Sequence, residues 1–374
     1  MNPSIALSII IVNYNVRDFL VQCLNSIFNS RTNFLFEVIV VDNNSTDDSV
    51  EFLHKTFPMV NVIQLKINSG FSYANNKGFE SSRGKYLLFL NPDTVLQEDT
   101  LQTMYNFMEQ TPNVGIAGCR VLNADGTLQL ACRRGFPTPW VAFTKLFGLQ
   151  KLFPKSKLFG RYNLTYLDPD EFSFVDSISG SFMFVRRELF AKLGGFDTSF
   201  FMYGEDLDLC YRAKKLGMEV AYVPTTSIIH YKGQSTIRSI IDNKYHFFKS
   251  MEIFSKKHFS NSKWFTFVIK LGIFLRQLLS KLIAYKVEFA FIVSDLLIVN
   301  LSLLLATWLR FSDPFSFPDY AYPTVFVVLS LVVFISMIIS GEYFENNHSV
   351  WNNTFALLIS FFVLSSLTYF FKDY

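Results

Sequence analysis

The segment Leu7-Ser-Ile-Ile-Ile-Val12, followed at once by Asn13-Tyr-Asn15, sets the pattern of the N-terminal part of the chain. A short, β-branched apolar run that ends in polar residues is typical of a strand buried on both faces. The pattern returns at Phe36–Val41, Val60–Leu65 and Tyr86–Leu90, with helical spacing in between. We therefore predict an α/β fold with a mostly parallel sheet flanked by helices.

Helices are predicted at Asp18–Phe28 and Phe71–Ser81, and Ser45 followed by Asp48 predicts a capping box that opens a further helix. In sheets of this kind, ligands bind beyond the carboxyl ends of the strands. The polar residues at those ends are Asn13, Asp42, Asn43, Asn44 and Asp93.

The chemistry of these strand ends disfavours two common classes of nucleotide-binding protein. The sequence contains neither the G-x-G-x-x-G fingerprint of dinucleotide-binding domains nor a P-loop. Acids stand at the strand ends instead, and they can hold a polyphosphate only through a divalent cation. Hydride transfer and P-loop chemistry are thus not expected, and a metal-assisted phosphate site is favoured.

The composition limits the remaining alternatives. The 374 residues correspond to two or three folding units at ~150 residues each. The 34 basic and 31 acidic residues leave a formal charge of +3, which gives no reason to expect a nucleic acid as partner. The 4 cysteines form no C-x-x-C pair, so neither a disulfide framework nor a zinc site is expected, and a reducing compartment is the simpler interpretation.

The C-terminal part of the chain is predicted to enter a membrane. Between Lys232 and Lys286 there are eleven Lys/Arg residues and two acids, and apolar segments follow near residues 287–309, 324–340 and 355–371. The first is long enough to cross ~30 Å of hydrocarbon, the other two are shorter, and a buried core helix is the alternative for each. The basic segment before them predicts a cytoplasmic N-terminal domain.

Residues 261–286 are predicted to form an amphipathic helix in the membrane interface. Lys270, Gln277 and Lys281 recur there at helical spacing, with Phe and Leu on the other side. An ordinary surface helix is the alternative. The predicted domains are therefore 1–260, 261–286 and 287–374.

Five ordered sequence blocks resemble the family 2 glycosyltransferases of GT-A fold, and in particular the rhamnosyltransferase-like enzymes of bacterial surface polysaccharide assembly. The blocks are Ser8-Ile-Ile-Ile-Val-Asn-Tyr-Asn15, Val41-Asp-Asn-Asn-Ser-Thr-Asp47, Asn68-Ser-Gly-Phe-Ser-Tyr-Ala-Asn-Asn-Lys-Gly78, Leu88-Phe-Leu-Asn-Pro-Asp93, and Gly194-Gly-Phe-Asp197 with Phe201-Met-Tyr-Gly-Glu-Asp-Leu-Asp-Leu-Cys-Tyr-Arg212. The resemblance implies an inverting, metal-dependent enzyme that moves a sugar from a nucleoside-diphosphate donor (dTDP-rhamnose or a UDP-sugar) to a polyprenyl-diphosphate-linked saccharide.

The same resemblance implies a role in O-antigen-type polysaccharide synthesis, at the cytoplasmic face of a multi-pass inner-membrane protein. An anionic membrane is an expected partner, and a homo-oligomer stays open. In the tail, Asp295, Arg310 and Gly341-Glu-Tyr343 resemble the N-terminal membrane region of polyprenyl-phosphate sugar-1-phosphate transferases. The alternative function is a membrane scaffold that binds a donor without turnover and serves such a transferase as a partner.

On the donor side, the resemblance implies contacts to the nucleotide and its sugar. The implied donor-binding residues are Asn13, Asn15, Asp42, Asn44, Gly70, Asn75, Asn91 and Lys232. Gly70 is expected to let the backbone approach the ligand closely. Asp93 matches the last acid of the family's D-x-D motif, whose first acid is here Asn91, and Asp93 with His230 is implied to hold Mg²⁺ or Mn²⁺. The alternatives are a simple turn at residues 91–93 and a packed side chain for His230.

On the acceptor side, the resemblance implies that Asp206 removes the proton from the acceptor hydroxyl and that Glu205 lies below the acceptor sugar. The other implied acceptor-side residues are Gly180, Ser181, Asp208 and Arg212. Three acids at a helix start also suit the helix dipole, which is the structural alternative. Arg212 is expected either to pair with an acid one turn before it or to face the diphosphate.

Residues 128–166 lack clear periodicity and mix seven Lys/Arg residues with aromatic ones. We interpret them as an insertion near the acceptor and the membrane surface. A solvated loop with a short helix is the alternative.

Overall fold

The computed structural model describes residues 5–231, 243–259, 271, 274–275, 286–315, 321–341 and 350–370. The chain divides into two compact units, Met1–Phe274 and Leu275–Tyr374. The interfacial helix expected at residues 261–286 lies almost wholly outside the described residues, and the domain boundaries at 260 and 286 stay predictions.

The first unit contains eleven strands in its described part. They are β1 (Leu7–Asn13), β2 (Phe36–Asp42), β3 (Asn61–Gln64), β4 (Tyr86–Leu90), β5 (Thr94–Leu96), β6 (Val114–Leu122), β7 (Arg133–Arg134), β8 (Ser173–Phe174), β9 (Ser177–Ile178), β10 (Phe182–Arg186) and β11 (Glu219–His230). Its helices are α1 (Arg17–Phe28), α2 (Ser49–Thr56), α3 (Phe71–Glu80), α4 (Thr100–Gln110), α5 (Pro139–Leu146), α6 (Leu149–Leu152), α7 (Arg187–Lys192), α8 (Glu205–Lys215) and α9 (Asn243–Phe259).

The main sheet has the order β3-β2-β1-β4-β10-β6-β11-β5, with β8 paired to β11, and β7 and β9 form a separate pair. The first four strands are parallel, whereas β10 runs antiparallel between β4 and β6. All seven residues of β1 are buried, which explains its uninterrupted apolar run. The predicted α/β fold with flanking helices is thereby confirmed, but the sheet is mixed and not mostly parallel, because β5, β8 and β10 pair antiparallel with their neighbours.

The capping box predicted from Ser45 and Asp48 is wrong. Helix α2 begins later, at Ser49, and its N-cap residue Asp48 makes no side-chain capping bond in the described structure. The Ser45 backbone N–H instead donates to Asp42 Oδ2 (3.0 Å), and its hydroxyl accepts from the Asn13 amide (3.1 Å). Ser45 is thus held by the strand ends, because β1 and β2 finish directly beside it.

The second unit consists of three described helices, α10 (Lys286–Phe311), α11 (Ala321–Ile339) and α12 (Val350–Phe370). Among the described residues one stretch, Phe289–Phe311, is long and apolar enough to cross a membrane, with a mean hydropathy of 2.3; the apolar parts of α11 and α12 are shorter. Helices α10 and α11 are joined by a hydrogen bond from Asn300 to Ser330 (2.9 Å).

Candidate active site

The carboxyl ends of β1 and β2 form the first part of the site. Asn13 lies opposite Asp42 in the parallel register, and its amide donates to Asp42 Oδ1 (2.9 Å). Both residues are fully buried. Asn13 Oδ1 has no hydrogen-bond partner among the described residues. An unsatisfied buried acceptor is costly, so a donor group from a ligand is expected to bind it.

Asn15 and Asn44 lie in the loops that follow these strands. Both have left-handed backbone conformations, with φ of 56° and 67°. Asn15 Oδ1 accepts from the backbone N–H groups of Thr46 (2.7 Å) and Asp47 (3.4 Å), which ties the two loops together. Asn44 is exposed. Asn15 therefore shapes the rim of the site, and Asn44 is accessible to a ligand.

Gly70 and Asn75 make contacts within the protein rather than with open space. Gly70 has φ +84°, and a Cβ added there would lie 2.6 Å from the carbonyl oxygen of Phe201. The backbone at Gly70 therefore approaches Phe201 closely, and its contact with a ligand stays a prediction. Asn75 is buried, and its amide donates to a carbonyl one turn earlier in α3 (3.0 Å).

Asp93 and His230, the predicted metal ligands, are adjacent. His230 Nε2 lies 3.2 Å from Asp93 Oδ1, and both side chains are buried. Gln129 Oε1 is 2.8 Å from His230 Nδ1, and Gln129 Nε2 donates to Asn123 Oδ1 (3.0 Å), which fixes the orientation of the amide. Asn91 Nδ2 lies 3.3 Å from His230 Nε2. His230 Nδ1 is therefore placed to donate to Gln129 Oε1, and Nε2 faces Asp93 and Asn91.

These residues fit a divalent cation. Asp93 Oδ1 is buried without a hydrogen-bond partner among the described residues. Carboxylates are the ligands that Mg²⁺ and Mn²⁺ prefer, and a histidine ligand usually has its second nitrogen hydrogen-bonded, as Gln129 does here. The described residues contain no group of three or more His, Cys, Asp or Glu that could hold a metal.

The second part of the site is the acid turn, residues 205–208 at the start of α8. Asp206 Oδ2 accepts from Arg134 Nη2 (2.5 Å) and from the Gly180 backbone N–H (2.9 Å), while Oδ1 accepts from the Leu207 N–H (2.7 Å). Burial lowers the pKa of Arg134, but the Asp206 carboxylate outweighs it and raises that pKa overall. Asp206 is thus an oriented, paired carboxylate.

Glu205 has a different environment from its neighbour. It is 6% exposed, and its Oε2 has no hydrogen-bond partner in the described part of the chain. Burial, and next the negative charge of Asp206, raise its pKa to about 8. Glu205 is therefore protonated at neutral pH and can donate a hydrogen bond.

Asp208 and Arg212 lie within the protein. Asp208 is fully buried and contacts Arg212 Nε (2.7 Å), Lys257 Nζ (2.8 Å) and His258 Nε2 (2.7 Å). Burial acts to raise the pKa of Asp208, but His258, Arg212 and Lys257 lower it overall. Arg212 also donates to the carbonyls of Leu193 (2.8 Å) and Gly195 (2.9 Å). Both residues hold α8 against the rest of the domain. Arg212 pairs with an acid one turn before it, which is the first of the two alternatives predicted for it.

Gly180 and Ser181 connect the two parts of the site. The Asn91 backbone N–H donates to the Ser181 carbonyl (3.0 Å), and the Gly180 N–H donates to Asp206. A Cβ added at Gly180 would lie 3.6 Å from both Asp206 Oδ2 and Glu205 Oε1. The two acids therefore border the space directly above Gly180, one short turn away from Asn91.

The sequence analysis missed the partners that hold these groups. Gln129, Arg134, Lys257 and His258 are each at least 49 residues from the acid or histidine they contact. The acid-free, basic segment around Arg134 was the one available signal, since a buried cation needs a carboxylate partner. Lys232 lies outside the described residues.

The sequence of this chain matches two protein-family models and several curated proteins. The model described as glycosyl transferase family 2 matches residues 8–194, half of the 374-residue chain, and the model described as the N-terminal domain of galactosyltransferase matches residues 168–234. The chain is 27% identical over 212 residues to the N-acetylglucosaminyl-diphospho-decaprenol L-rhamnosyltransferase of Mycobacterium tuberculosis, covering 54% of this chain and 68% of the relative.

Two further relatives extend the comparison. The low-salt glycan biosynthesis hexosyltransferase Agl10 of Haloferax volcanii is 28% identical over 260 residues, covering 67% of this chain and 77% of the relative. The rhamnosyltransferase WbbL of Escherichia coli is 32% identical over 173 residues, covering 43% and 61%. All three relatives are named as sugar transferases.

Proposed function

Because the chain belongs to glycosyl transferase family 2 and is a glycosyltransferase, we propose that it moves a sugar with inversion from a nucleoside-diphosphate donor to a lipid-linked saccharide. The observation that carries this proposal is the Gly180–Ser181 connection. It joins the Asn91–Asp93 turn to Asp206 through two hydrogen bonds, one from the Asn91 N–H to the Ser181 carbonyl and one from the Gly180 N–H to the Asp206 carboxylate. A donor diphosphate at the first group and an acceptor hydroxyl at the second would thus meet across one short turn.

Asp206 is the proposed general base. Its carboxylate takes the proton from the acceptor hydroxyl while the oxygen of that hydroxyl bonds to the anomeric carbon, and the bond from that carbon to the diphosphate breaks. Attack opposite the leaving group inverts the anomeric centre. Arg134 and the Gly180 N–H hold the carboxylate in one orientation, which is what a positioned base requires. Glu205, protonated, would donate a hydrogen bond to the acceptor sugar.

The donor would bind at the strand ends. The unsatisfied Asn13 Oδ1 and the exposed Asn44 support a nucleotide site there, whereas Asp42, fully buried and bonded to Asn13, would act by holding that amide in place. The rhamnosyltransferase relatives favour dTDP-rhamnose, with UDP-sugars as the second choice. The relative that acts on a diphospho-decaprenol substrate supports a polyprenyl-diphosphate-linked acceptor.

Asp93 and His230 would hold Mg²⁺ or Mn²⁺, with Gln129 orienting the imidazole. When bound, such an ion would neutralise the charge that develops on the leaving diphosphate. The residues of the chain alone supply only two of the ligands, so the affinity for the ion without a donor is expected to be low.

The proposed location is the cytoplasmic face of a bacterial inner membrane, in surface polysaccharide synthesis of the O-antigen type. One described stretch that could span a membrane supports this, and three spans remain part of the proposal. We also propose that an anionic membrane is a partner. The domains are proposed to divide at residues 260 and 286. The C-terminal region would resemble polyprenyl-phosphate sugar-1-phosphate transferases in its membrane-spanning part and not in its chemistry.

The experiment is a donor panel on the full-length protein in detergent. Release of the nucleoside diphosphate from dTDP-rhamnose and UDP-sugars is measured with and without a lipid-linked saccharide, in Mg²⁺, in Mn²⁺ and in EDTA. Acceptor-dependent, EDTA-sensitive release from one donor is the expected result. Tight donor binding without release from any donor would favour the scaffold alternative, and release that EDTA does not affect would contradict the metal site.

A further inference from the structure

The segment of residues 126–167, which includes β7, carries a surface that the proposed reaction does not use. Residues 126–167 contain seven Lys/Arg residues and no acid. Helices α5 and α6 and the turns after them are held by internal hydrogen bonds. Thr138 caps α5 by accepting from the Val141 N–H, and Trp140 Nε1 donates to the Leu158 carbonyl (3.0 Å). These hydrogen bonds hold the segment in one conformation, so its surface has a defined shape.

Aromatic rings form a continuous row along this segment. The ring centroids of Phe147 and Phe143 are 4.6 Å apart, those of Phe143 and Trp140 5.7 Å, those of Trp140 and Phe159 6.1 Å, and those of Phe159 and Phe153 5.3 Å. The outer apolar side chains are strongly exposed. They are Trp140 (44%), Phe147 (44%), Phe153 (51%), Leu158 (56%) and Leu152 (69%), and we call them the aromatic surface. So much apolar area on one segment indicates an interaction site.

Basic side chains stand in the same turns as the aromatic surface. Lys151, Lys155, Lys157 and Arg161 are exposed. Within the part of the chain that the structure describes, none of the four forms an ion pair. Aromatic rings prefer the level of the lipid headgroups, and lysines near them are attracted to anionic lipid. An acid in this segment would be repelled by such a surface, and the segment contains none.

We propose that the aromatic surface and these four basic residues dock onto the anionic surface of the membrane. The aromatic and leucine side chains enter the headgroup region, and the basic side chains contact lipid phosphates. Arg134, which holds Asp206, lies at the base of the same segment, so docking would also steady the acid turn. The inference rests on the membrane location proposed above.

The experiment places an environment-sensitive fluorophore on the aromatic surface of the full chain. Leu152→Cys carries the label, and Met59→Cys, 65% exposed and outside the segment, is the matched control. The four native cysteines are buried, so labelling is directed to the introduced one. Both proteins are reconstituted into vesicles of phosphatidylcholine, with or without phosphatidylglycerol, and quenching by spin-labelled lipid is measured.

With phosphatidylglycerol present, we expect a blue shift and lipid quenching at position 152 and neither at position 59. Replacing Lys151, Lys155 and Lys157 by Gln together should reduce the quenching at position 152 to that of the control, because each basic residue adds to the attraction. High salt should act in the same direction.

Two results would overturn the docking proposal, and a third would contradict the membrane location on which it rests. If the chain stays in the vesicles after alkaline extraction but position 152 is as solvent-exposed as position 59, the docking surface is refuted. A blue shift that appears in detergent without anionic lipid and grows with protein concentration would indicate contact between proteins instead. If alkaline extraction removes the chain from the vesicles, the membrane location itself fails.

Discussion

The strand-end half of the site and the acid turn are held by different forces. At the strand ends, Asn13 and Asp42 meet because adjacent parallel strands finish in register. In the acid turn, three carboxylates lie within four residues, yet each has its own environment. Asp206 pairs with Arg134, Asp208 with three basic side chains, and Glu205 with none of these. The register of the parallel strands thus positions Asn13 and Asp42. In the acid turn, the basic side chains that contact Asp206 and Asp208 give the carboxylates different environments.

The largest effect is expected from Asp206→Asn. The amide keeps the shape but cannot take the proton, so we expect the transfer rate to fall by about 10²–10⁴-fold while donor and metal binding stay normal. Transfer is measured with a lipid-linked acceptor, and donor binding by titration in a separate experiment.

Glu205→Gln is the matched control for this variant, since it changes the carboxyl group next to Asp206 into an amide and keeps a hydrogen-bond donor. A clearly smaller loss is expected, mainly in the KM for the acceptor. If Glu205→Gln were the inactive variant and Asp206→Asn nearly normal, the roles of the two acids would be exchanged.

Asp208→Asn should act on stability. It leaves Lys257, His258 and Arg212 without their shared carboxylate, and breaking a buried ion pair in this way costs about 3–5 kcal/mol. The free energy of unfolding is measured by denaturant titration in detergent. Asp197→Asn, whose partly exposed carboxylate contacts Lys257 alone among basic residues in the described structure, should cost less than about 1 kcal/mol. Equal losses would mean that the cluster does not hold the turn.

Glu205 should make the free energy of unfolding depend on pH. Its pKa is about 8 in the folded protein, against an ordinary value of 4.5. Between these values the folded state binds the additional proton, so its contribution to stability is full below the ordinary value and is lost as the pH rises towards 8. Each tenfold difference in proton affinity corresponds to about 1.4 kcal/mol. Glu205→Gln should show a flatter stability profile, and an unchanged slope would contradict the assignment.

The smallest effect is expected at the strand-end half, from Gln129→Ala. Gln129 orients His230 through Nδ1, and loss of such an outer partner typically lowers metal affinity about 10–100-fold. Mn²⁺ is titrated against activity, and the apparent affinity should fall while the maximal rate is largely kept. Asn123→Ala, one contact further away, should change the affinity less. An unchanged Mn²⁺ affinity in Gln129→Ala would argue against His230 as a ligand.

The comparison also explains what could be predicted from the sequence. Strands β1, β2 and β4 and the polar residues at their ends follow from local apolar runs, which depend on neighbouring residues alone. The insertion of β10 between β4 and β6 and the pairing of Arg134 with Asp206 depend on tertiary contacts, for which no local pattern exists. Gly70 is a further example. A glycine in a sequence indicates that the backbone approaches another group closely, but it does not identify that group, which here is Phe201.

The position of β10 has a consequence for how the chain folds during synthesis. Both of its neighbours, β4 and β6, leave the ribosome before it, so each has an open edge until Phe182–Arg186 emerges. Nascent chains that stop short of residue 182 therefore expose apolar strand edges on β4 and β6 and are expected to need chaperones. Strand β10 then joins β4 to β6 in the middle of the sheet, before β11 is made, and it brings Gly180 and Ser181 into the site.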